Sequence, residues 1–309
     1  MQLAVKTNEL IKSFNGLKAV NHLNLEVPVG AIYGFLGPNG SGKTTTLKML
    51  TGMTEPTAGS IEIMGEPMVF GKQKSHDNIG FLPDVPGFYD WMNAQEFLVL
   101  CGSLFHIPKA VLSTRVTGLL KVVGLSKSAK KKIGTFSRGM KQRLGIAQAL
   151  INNPDIIFLD EPVSALDPQG RKEVMDIIHG LKGKVTVFFS THILSDVERI
   201  CDRVIIINEG AAVLEDTIEN IKAMSETHAI EIEADVAVLN KIEALLQDIE
   251  HVMNIKTNHQ TMVVTVDDLD VSRKHIYRIL HEHDMMVKKI MVKEPTLEDI
   301  YMKVVNHHG

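Results

Sequence analysis

Four short stretches that are almost entirely apolar, at residues 31–36, 156–159, 185–189 and 203–207, punctuate the first two thirds of the chain, and a helical pattern follows each. Runs of this length without polar alternation predict strands covered on both faces, the arrangement of a sheet layered between helices. An α/β core is therefore expected, with its strand order left open.

Between residues 84 and 150 the strand signals fade. Asn93 followed by Glu96 predicts a capping box ahead of Phe97, Leu98, Leu100 and Leu104, and a helical pattern runs over 109–123 after Pro108. Residues from about 85 to 150 thus read as a helical insert. Asn208, Glu209 and Gly210 predict a turn before a further strand at 211–214, and this first domain, 1–222, ends near Lys222.

The second domain, 223–309, alternates again: a strand at 229–234, a helix at 236–246, strands at 252–257 and 261–266, a helix at 272–283 and a strand at 286–291. That β-α-β-β-α-β order predicts a small ferredoxin-like α+β domain. A last helix over 297–305 follows Pro295, with Thr296 as its cap and Asp299 three residues on; Leu297, Ile300, Tyr301 and Val304 give it one apolar face.

Composition narrows the picture further. At 309 residues and 44% hydrophobic content the chain can bury a sizeable core, and the length fits two domains. Its 33 basic and 37 acidic side chains leave a net charge of -4, so no nucleic-acid partner is expected. The basic run Lys127, Lys130, Lys131 and Lys132 lacks interleaved aromatics and reads as a solvated connector. Cys101 and Cys201 match neither a disulfide framework nor a metal-ligand spacing, which suits free thiols in a reducing compartment. No stretch approaches the roughly 18 apolar residues of a membrane span, and the polar residues through 1–11 predict no signal peptide.

One short string says more than all of this. Gly37, Pro38, Asn39, Gly40, Ser41, Gly42, Lys43 and Thr44 form a complete phosphate-loop signature directly after the run at 31–36, and Thr45 continues it into a helix start. A glycine-rich stretch turns backbone N–H groups inward, Lys43 is suited to reach β- and γ-phosphates, and the Thr44 hydroxyl is suited to Mg²⁺. The helix N-terminus beyond favours anions as well. A nucleoside triphosphate is the ligand these residues predict.

A second group carries chemistry. The apolar run from 156 ends in Asp160 and Glu161. Asp160 suits a hard cation that wants oxygen ligands, and Glu161 is the candidate to position and activate an attacking water. Ser137, with the backbone N–H groups around Gly139, opens a helix ending near Leu150; it reads either as a γ-phosphate grip or as a plain N-cap.

In order and spacing these motifs resemble the ATP-binding cassette family over almost the whole first domain. The phosphate loop at 37–44 is followed by a signature region at 136–143, the Asp160-Glu161 pair, a D-loop-like Ser164-Ala165-Leu166-Asp167, and His192, similar to the family's switch histidine. The resemblance implies a P-loop NTPase cassette, ATP and Mg²⁺ as cofactors, and a head-to-tail dimer in which the phosphate loop of one subunit faces Ser137 of the other. Two identical copies, or this chain and a related ATPase, would satisfy it. It further implies that His192 contacts the γ-phosphate and steadies the water and Glu161, and that Asp167, also an N-cap candidate before Pro168, helps communicate across the dimer. Phe14 falls where the family stacks an aromatic ring on adenine, which needs no tyrosine hydroxyl.

Two positions depart from the pattern. Asp84, closing Ile79-Gly80-Phe81-Leu82-Pro83-Asp84, stands where the family has a glutamine; its carboxylate can approach Mg²⁺ but has no amide N–H to donate. Arg138 replaces the first glycine of the usual serine-glycine-glycine run, and its guanidinium either meets nucleotide oxygens or faces solvent or the interface. The resemblance implies a cytoplasmic ATPase, peripheral on the inner face of the cell membrane, that powers export of a small solute or drug through a separate transmembrane permease. Residues 294–301, from Glu294 to Tyr301, resemble the end of efflux-type cassettes. A soluble ATPase acting on ribosomes or nucleic acid is one alternative, disfavoured because no second cassette or long coiled-coil insertion is present. A low-turnover structural subunit is another, disfavoured by intact Asp160, Glu161 and His192.

Overall fold

In the computed structural model, which describes residues 2–71, 77–224, 228–247, 249–293 and 295–306, the chain divides into two compact units, Met1–Ile218 and Glu219–Gly309. The first begins with the long strands β1 (Leu3–Phe14) and β2 (Leu17–Pro28), continues with β3 (Ile32–Leu36), α1 (Lys43–Leu50), β4 (Ala58–Ile63) and β5 (Glu66–Pro67), and reaches β6 (Ile79–Leu82). Three helices follow, α2 (Ala94–Leu104), α3 (Lys109–Val122) and α4 (Arg138–Ala149), forming the expected insert. The unit closes with β7 (Ile156–Asp160), α5 (Pro168–His179), β8 (Thr186–Thr191), α6 (Leu194–Ile200), β9 (Arg203–Asn208) and β10 (Ala211–Thr217).

The apolar runs form one sheet of order β10-β9-β3-β8-β7-β6, parallel except for β10. Every residue of β3, β7 and β8 is buried, as unbroken apolar strands require. The rings of Tyr33, Phe35 and Phe158 all pack on Phe188, at centroid separations of 5.4, 5.2 and 5.6 Å. The turn into β10 holds Glu209 and Gly210 at φ +48° and +81°, the paired left-handed conformation of a tight hairpin. From there β10 runs on to Thr217, longer than its sequence pattern predicts.

A second, antiparallel sheet, β2-β1-β4-β5, is absent from the sequence reading. Its physical disguise is irregular pairing: β1 and β2 shift register repeatedly, and Glu9 and His22 adopt φ +49° and +48° within them. Each bulge breaks the alternation of period two by which a strand is recognised. Val5, Leu10, Leu23 and Leu25 of this sheet share a core with Phe35, Phe158 and Phe188.

The insert is anchored by local chemistry. Asn93 and Glu96 form the reciprocal capping box, each side chain accepting from the other's backbone N–H at 2.9 Å. α4 lies directly against β6 because two glycines permit it: a Cβ at Gly80 would run into the Ala149 carbonyl, and one at Gly145 into the Leu82 side chain.

α7 (Ile218–Ala223) lies at the division between the units. The second unit then contains β11 (His228–Glu233), α8 (Val236–Leu246), β12 (Val252–Asn258), β13 (Thr261–Val266), α9 (Leu269–Glu282), β14 (Lys289–Lys293) and α10 (Leu297–Asn306). Its sheet is antiparallel with order β12-β13-β11-β14, and Ile230, Ile232, Leu239, Ile242, Val264 and Ile276 fill the core under α8 and α9. α9 starts earlier than 272 because Asp268 caps it, accepting from Val271 N–H at 2.9 Å. The last strand is displaced from 286–291 to β14, since pairing with β11 begins at Lys289 and Met286 stays exposed. Thr296 and Asp299 cap α10 reciprocally; Glu294 and the side chain of Val304 lie outside the described residues. Among the described residues no helix is long and apolar enough to cross a membrane.

Candidate functional site

The phosphate loop connects β3 to α1. Gly42 stands at φ +100° with its open side against the Ala19 carbonyl, and a Cβ at Gly37 would meet the Ser41 hydroxyl and the Ile207 carbonyl. The loop can be this tight only with glycine at both places. α1 begins at Lys43 without a side-chain cap, so its first N–H groups face the loop as donors. Lys43 is only 6% exposed; its Nζ donates to the Gly37 and Pro38 carbonyls at 2.8 and 3.1 Å and lies 3.3 Å from Glu161 Oε1. Ser41 Oγ is buried and has no partner among the described residues. Pro38, Asn39 and Gly40 are exposed at the loop's crest, Thr44 is exposed and Thr45 half-buried in the first helical turn. A buried ammonium, an orphaned hydroxyl and an uncapped helix end in one glycine cradle fit a phosphate chain.

Neighbouring strands bring the acidic pair to the same place. Asp160, at the end of β7, is 2% exposed, and Ser190 on β8 donates its hydroxyl to Asp160 Oδ1 at 2.6 Å. The same Ser190 oxygen accepts from the Glu161 N–H at 3.0 Å, while Glu161 adopts φ +46°. A non-glycine residue in that region costs about 1–3 kcal/mol and is retained where the surroundings fix it. His192 Nδ1 lies 3.1 and 3.0 Å from the two Glu161 oxygens, so this carboxylate sits between Lys43 and His192. Ser190 escapes the sequence reading, although Ser190-Thr191 closing the apolar run 185–189 is the signal that marks it.

Asp84 joins from the loop after β6. Burial raises its pKa, the charges of Asp160 and Glu161 raise it further, and Arg138 acts in the opposite sense. Crowded carboxylates suit a divalent cation, yet among the described residues no three His, Cys, Asp or Glu side chains form a metal site by themselves. A cation here would need further oxygens, which the Thr44 hydroxyl and a nucleotide can supply.

The remaining candidates occupy the periphery. Ser137 caps α4, its Oγ accepting from Met140 N–H at 3.2 Å; Ser137 and Arg138 are exposed and Gly139 is half-buried. Among the described residues these three share no hydrogen bond or ion pair with the phosphate loop of their own chain. Asp167 is indeed an N-cap, accepting from Gly170 N–H at 3.3 Å ahead of Pro168. Phe14 is 50% exposed, beside the Lys12 ammonium at 5.1 Å, and is not part of the core.

The fold and loop define a P-loop ATPase. Residues 20–164 match the family model for ABC transporters, and residues 217–305 match that of the ATP-binding protein DrrA1-3-like C-terminal domain. The chain is 39% identical over 298 residues to the uncharacterized ABC transporter ATP-binding protein YxlF of Bacillus subtilis, covering 96% of this chain and 98% of that protein. It is 38% identical over 307 residues to the bacitracin transport ATP-binding protein BcrA of Bacillus licheniformis, covering 99% and 98%. A solved dimeric ATP-binding cassette, in a post-hydrolysis state with ADP and phosphate, aligns with TM-score 0.63 at 26% identity over 69% of this chain and 98% of that one. The chain belongs to the ATP-binding proteins of ABC transporters. It is the ATP-hydrolysing subunit of an ABC transporter, works with a membrane permease and carries a C-terminal accessory domain.

Proposed function

We propose that this chain hydrolyses ATP with Glu161 positioning and activating the attacking water and His192 steadying both that carboxylate and the γ-phosphate. The observation that carries the reading is the placement of Glu161 between the buried Lys43 ammonium and the His192 imidazole. Lys43, the loop N–H groups of 37–42 and Thr45 bind the phosphates, and Phe14 offers its exposed face to adenine. Thr44, Asp160 and Asp84 would hold Mg²⁺, which would neutralise phosphate charge.

Ser137, Arg138 and Gly139 complete the site of a partner subunit, which is a second copy of this chain or a related ATPase, and Asp167 links the two sites. ATP-driven closure works on the permease and hydrolysis resets it. Val85, Tyr89 and Trp91, exposed just beyond Asp84, form the apolar surface on which that permease docks at the inner face of the membrane. Likeness to the bacitracin transport protein supports a small solute or drug as cargo, and likeness to a Nod factor export ATP-binding protein supports outward movement.

Replacing Glu161 with Gln is expected to reduce turnover by about 10²- to 10⁴-fold while ATP binding persists and the dimer is trapped closed. Phosphate release and size-exclusion chromatography with ATP·Mg²⁺ measure both. Turnover at the parent rate would remove Glu161 from the catalytic role.

A further inference from the structure

α5 adjoins two helices that each carry a piece of the site. On one side the first turns of α5 and α4 meet backbone to backbone at Gly170 and Gly139, and Glu173 pairs with Arg143 at 3.3 Å. On the other, Arg171 sends Nε and Nη2 to the same Asp196 oxygen at 2.9 and 2.7 Å, with Nη2 also 3.3 Å from the Ser195 hydroxyl. Asp196 lies in the first turn of α6 and is 5% exposed; its second oxygen, Oδ2, is buried without a partner among the described residues. Arg171 N–H donates to the Asp167 carbonyl at 2.9 Å, and Asp196 N–H to the carbonyl of Ile193, the residue after His192, at 3.3 Å.

The ion pair thus ties the segment holding Asp167 to the segment holding His192. A second α5–α6 pair, Arg199 with Asp176 at 2.6 Å, is exposed at the opposite ends of these helices.

We infer that Arg171 is a positioning residue for hydrolysis, acting through Asp196 to hold His192 against Glu161 in step with Asp167. The inference rests on the roles proposed above for Glu161, His192 and Asp167. A buried carboxylate cannot swing away from its cation without exposing the protein to an uncompensated charge, so the first turn of α6 is fixed. Two N–H groups from one planar guanidinium also set its direction, which an ammonium does not. The Arg199 pair is solvated at both ends and holds little.

The test measures ATP turnover by the full-length protein for Arg171→Gln, Arg171→Lys and Arg199→Gln, each alone and with His192→Ala. Arg171→Gln is expected to lower kcat about tenfold with KM for ATP changed by less than about twofold. Arg171→Lys, which keeps the charge and the fold but not the fork, falls between; Arg199→Gln leaves kcat at the parent value. In the His192→Ala background the Arg171→Gln effect disappears.

If Arg171→Gln does not fold, or the His192→Ala background turns over too slowly to read, the imidazole NMR resonance of His192 decides, assigned by its loss in His192→Ala. It shifts in Arg171→Lys and stays in place in Arg199→Gln. An undiminished loss in the His192→Ala background, an equal loss from Arg199→Gln, or a His192 resonance unmoved by Arg171→Lys overturns the inference. Turnover of His192→Ala at the parent rate would instead show that the role given to His192 is wrong.

Discussion

The two units of this chain bury opposite kinds of side chain. In the first, Lys43, Asp160 and Asp196 are charged groups withdrawn from water around the loops that follow parallel strands. In the second, the only buried polar side chain among the described residues is Ser272, and the core is otherwise Ile, Leu, Val, Met and Ala. Burying charge weakens a fold unless a partner or ligand compensates, so it persists where binding or chemistry requires it. The first unit therefore gives up stability for function, while the second is built on apolar packing alone.

The sharpest way to separate them is to damage the second core. Leu239→Ala truncates a fully buried side chain of α8 and is expected to cost about 2–5 kcal/mol, read from urea unfolding by circular dichroism. ATP affinity, a property of the first unit, should stay at the parent value. A parallel loss of ATP affinity would break the contrast.

The reverse experiment removes a buried charge. Lys43→Met keeps the apolar stem but deletes the ammonium, and ATP affinity is expected to fall about 10- to 100-fold, the equivalent of one or two charge-assisted hydrogen bonds. Tm should change little, because the gain from removing a desolvated cation is set against Glu161 losing the ammonium 3.3 Å away and keeping only His192 beside it. Titration calorimetry with ATP and a thermal melt give the two readings; a large drop in Tm would show that Lys43 serves the fold as well as the ligand.

The smallest effect concerns Glu215 of β10, which accepts from the Tyr33 hydroxyl at 2.7 Å. Burial, the largest influence, raises its pKa above the ordinary carboxylate value, with the Tyr33 hydrogen bond acting in the lowering direction. The folded state then holds this proton more tightly than the unfolded chain. Its stabilising contribution is full below the unfolded pKa and is lost as pH rises through the folded one. Glu215→Gln, which keeps an acceptor for Tyr33, should therefore raise Tm slightly at about pH 7 and not at about pH 4, where the parent carboxyl is already protonated. A Tm gain independent of pH would point to packing instead.

Legibility in the sequence followed the regularity of each element. β3, β7 and β8 are unbroken apolar runs and were readable as buried strands, and the phosphate loop was readable because its chemistry is contiguous. β1 and β2 were not, since bulges at Glu9 and His22 destroy their alternation. The β-α-β-β-α-β order of the second unit was visible, while β14 was misplaced because its pairing with β11 from Lys289 onward, a tertiary constraint, sets its start. Ser190 beneath Asp160, and Arg171 on Asp196, join residues 30 and 25 positions apart, which no local pattern reports.

The seam between β6 and α4 has a mechanical consequence. With hydrogen as the only side group at Gly80 and Gly145, strand and helix lie in contact with no compressible layer between them. Gly80 faces Ala149 and Gly145 faces Leu82, so the same end of the seam leads to Asp84, beside the aromatic surface of Tyr89 and Trp91, and along α4 to Ser137; a push applied at that surface carries strand, helix and signature serine together, without slack.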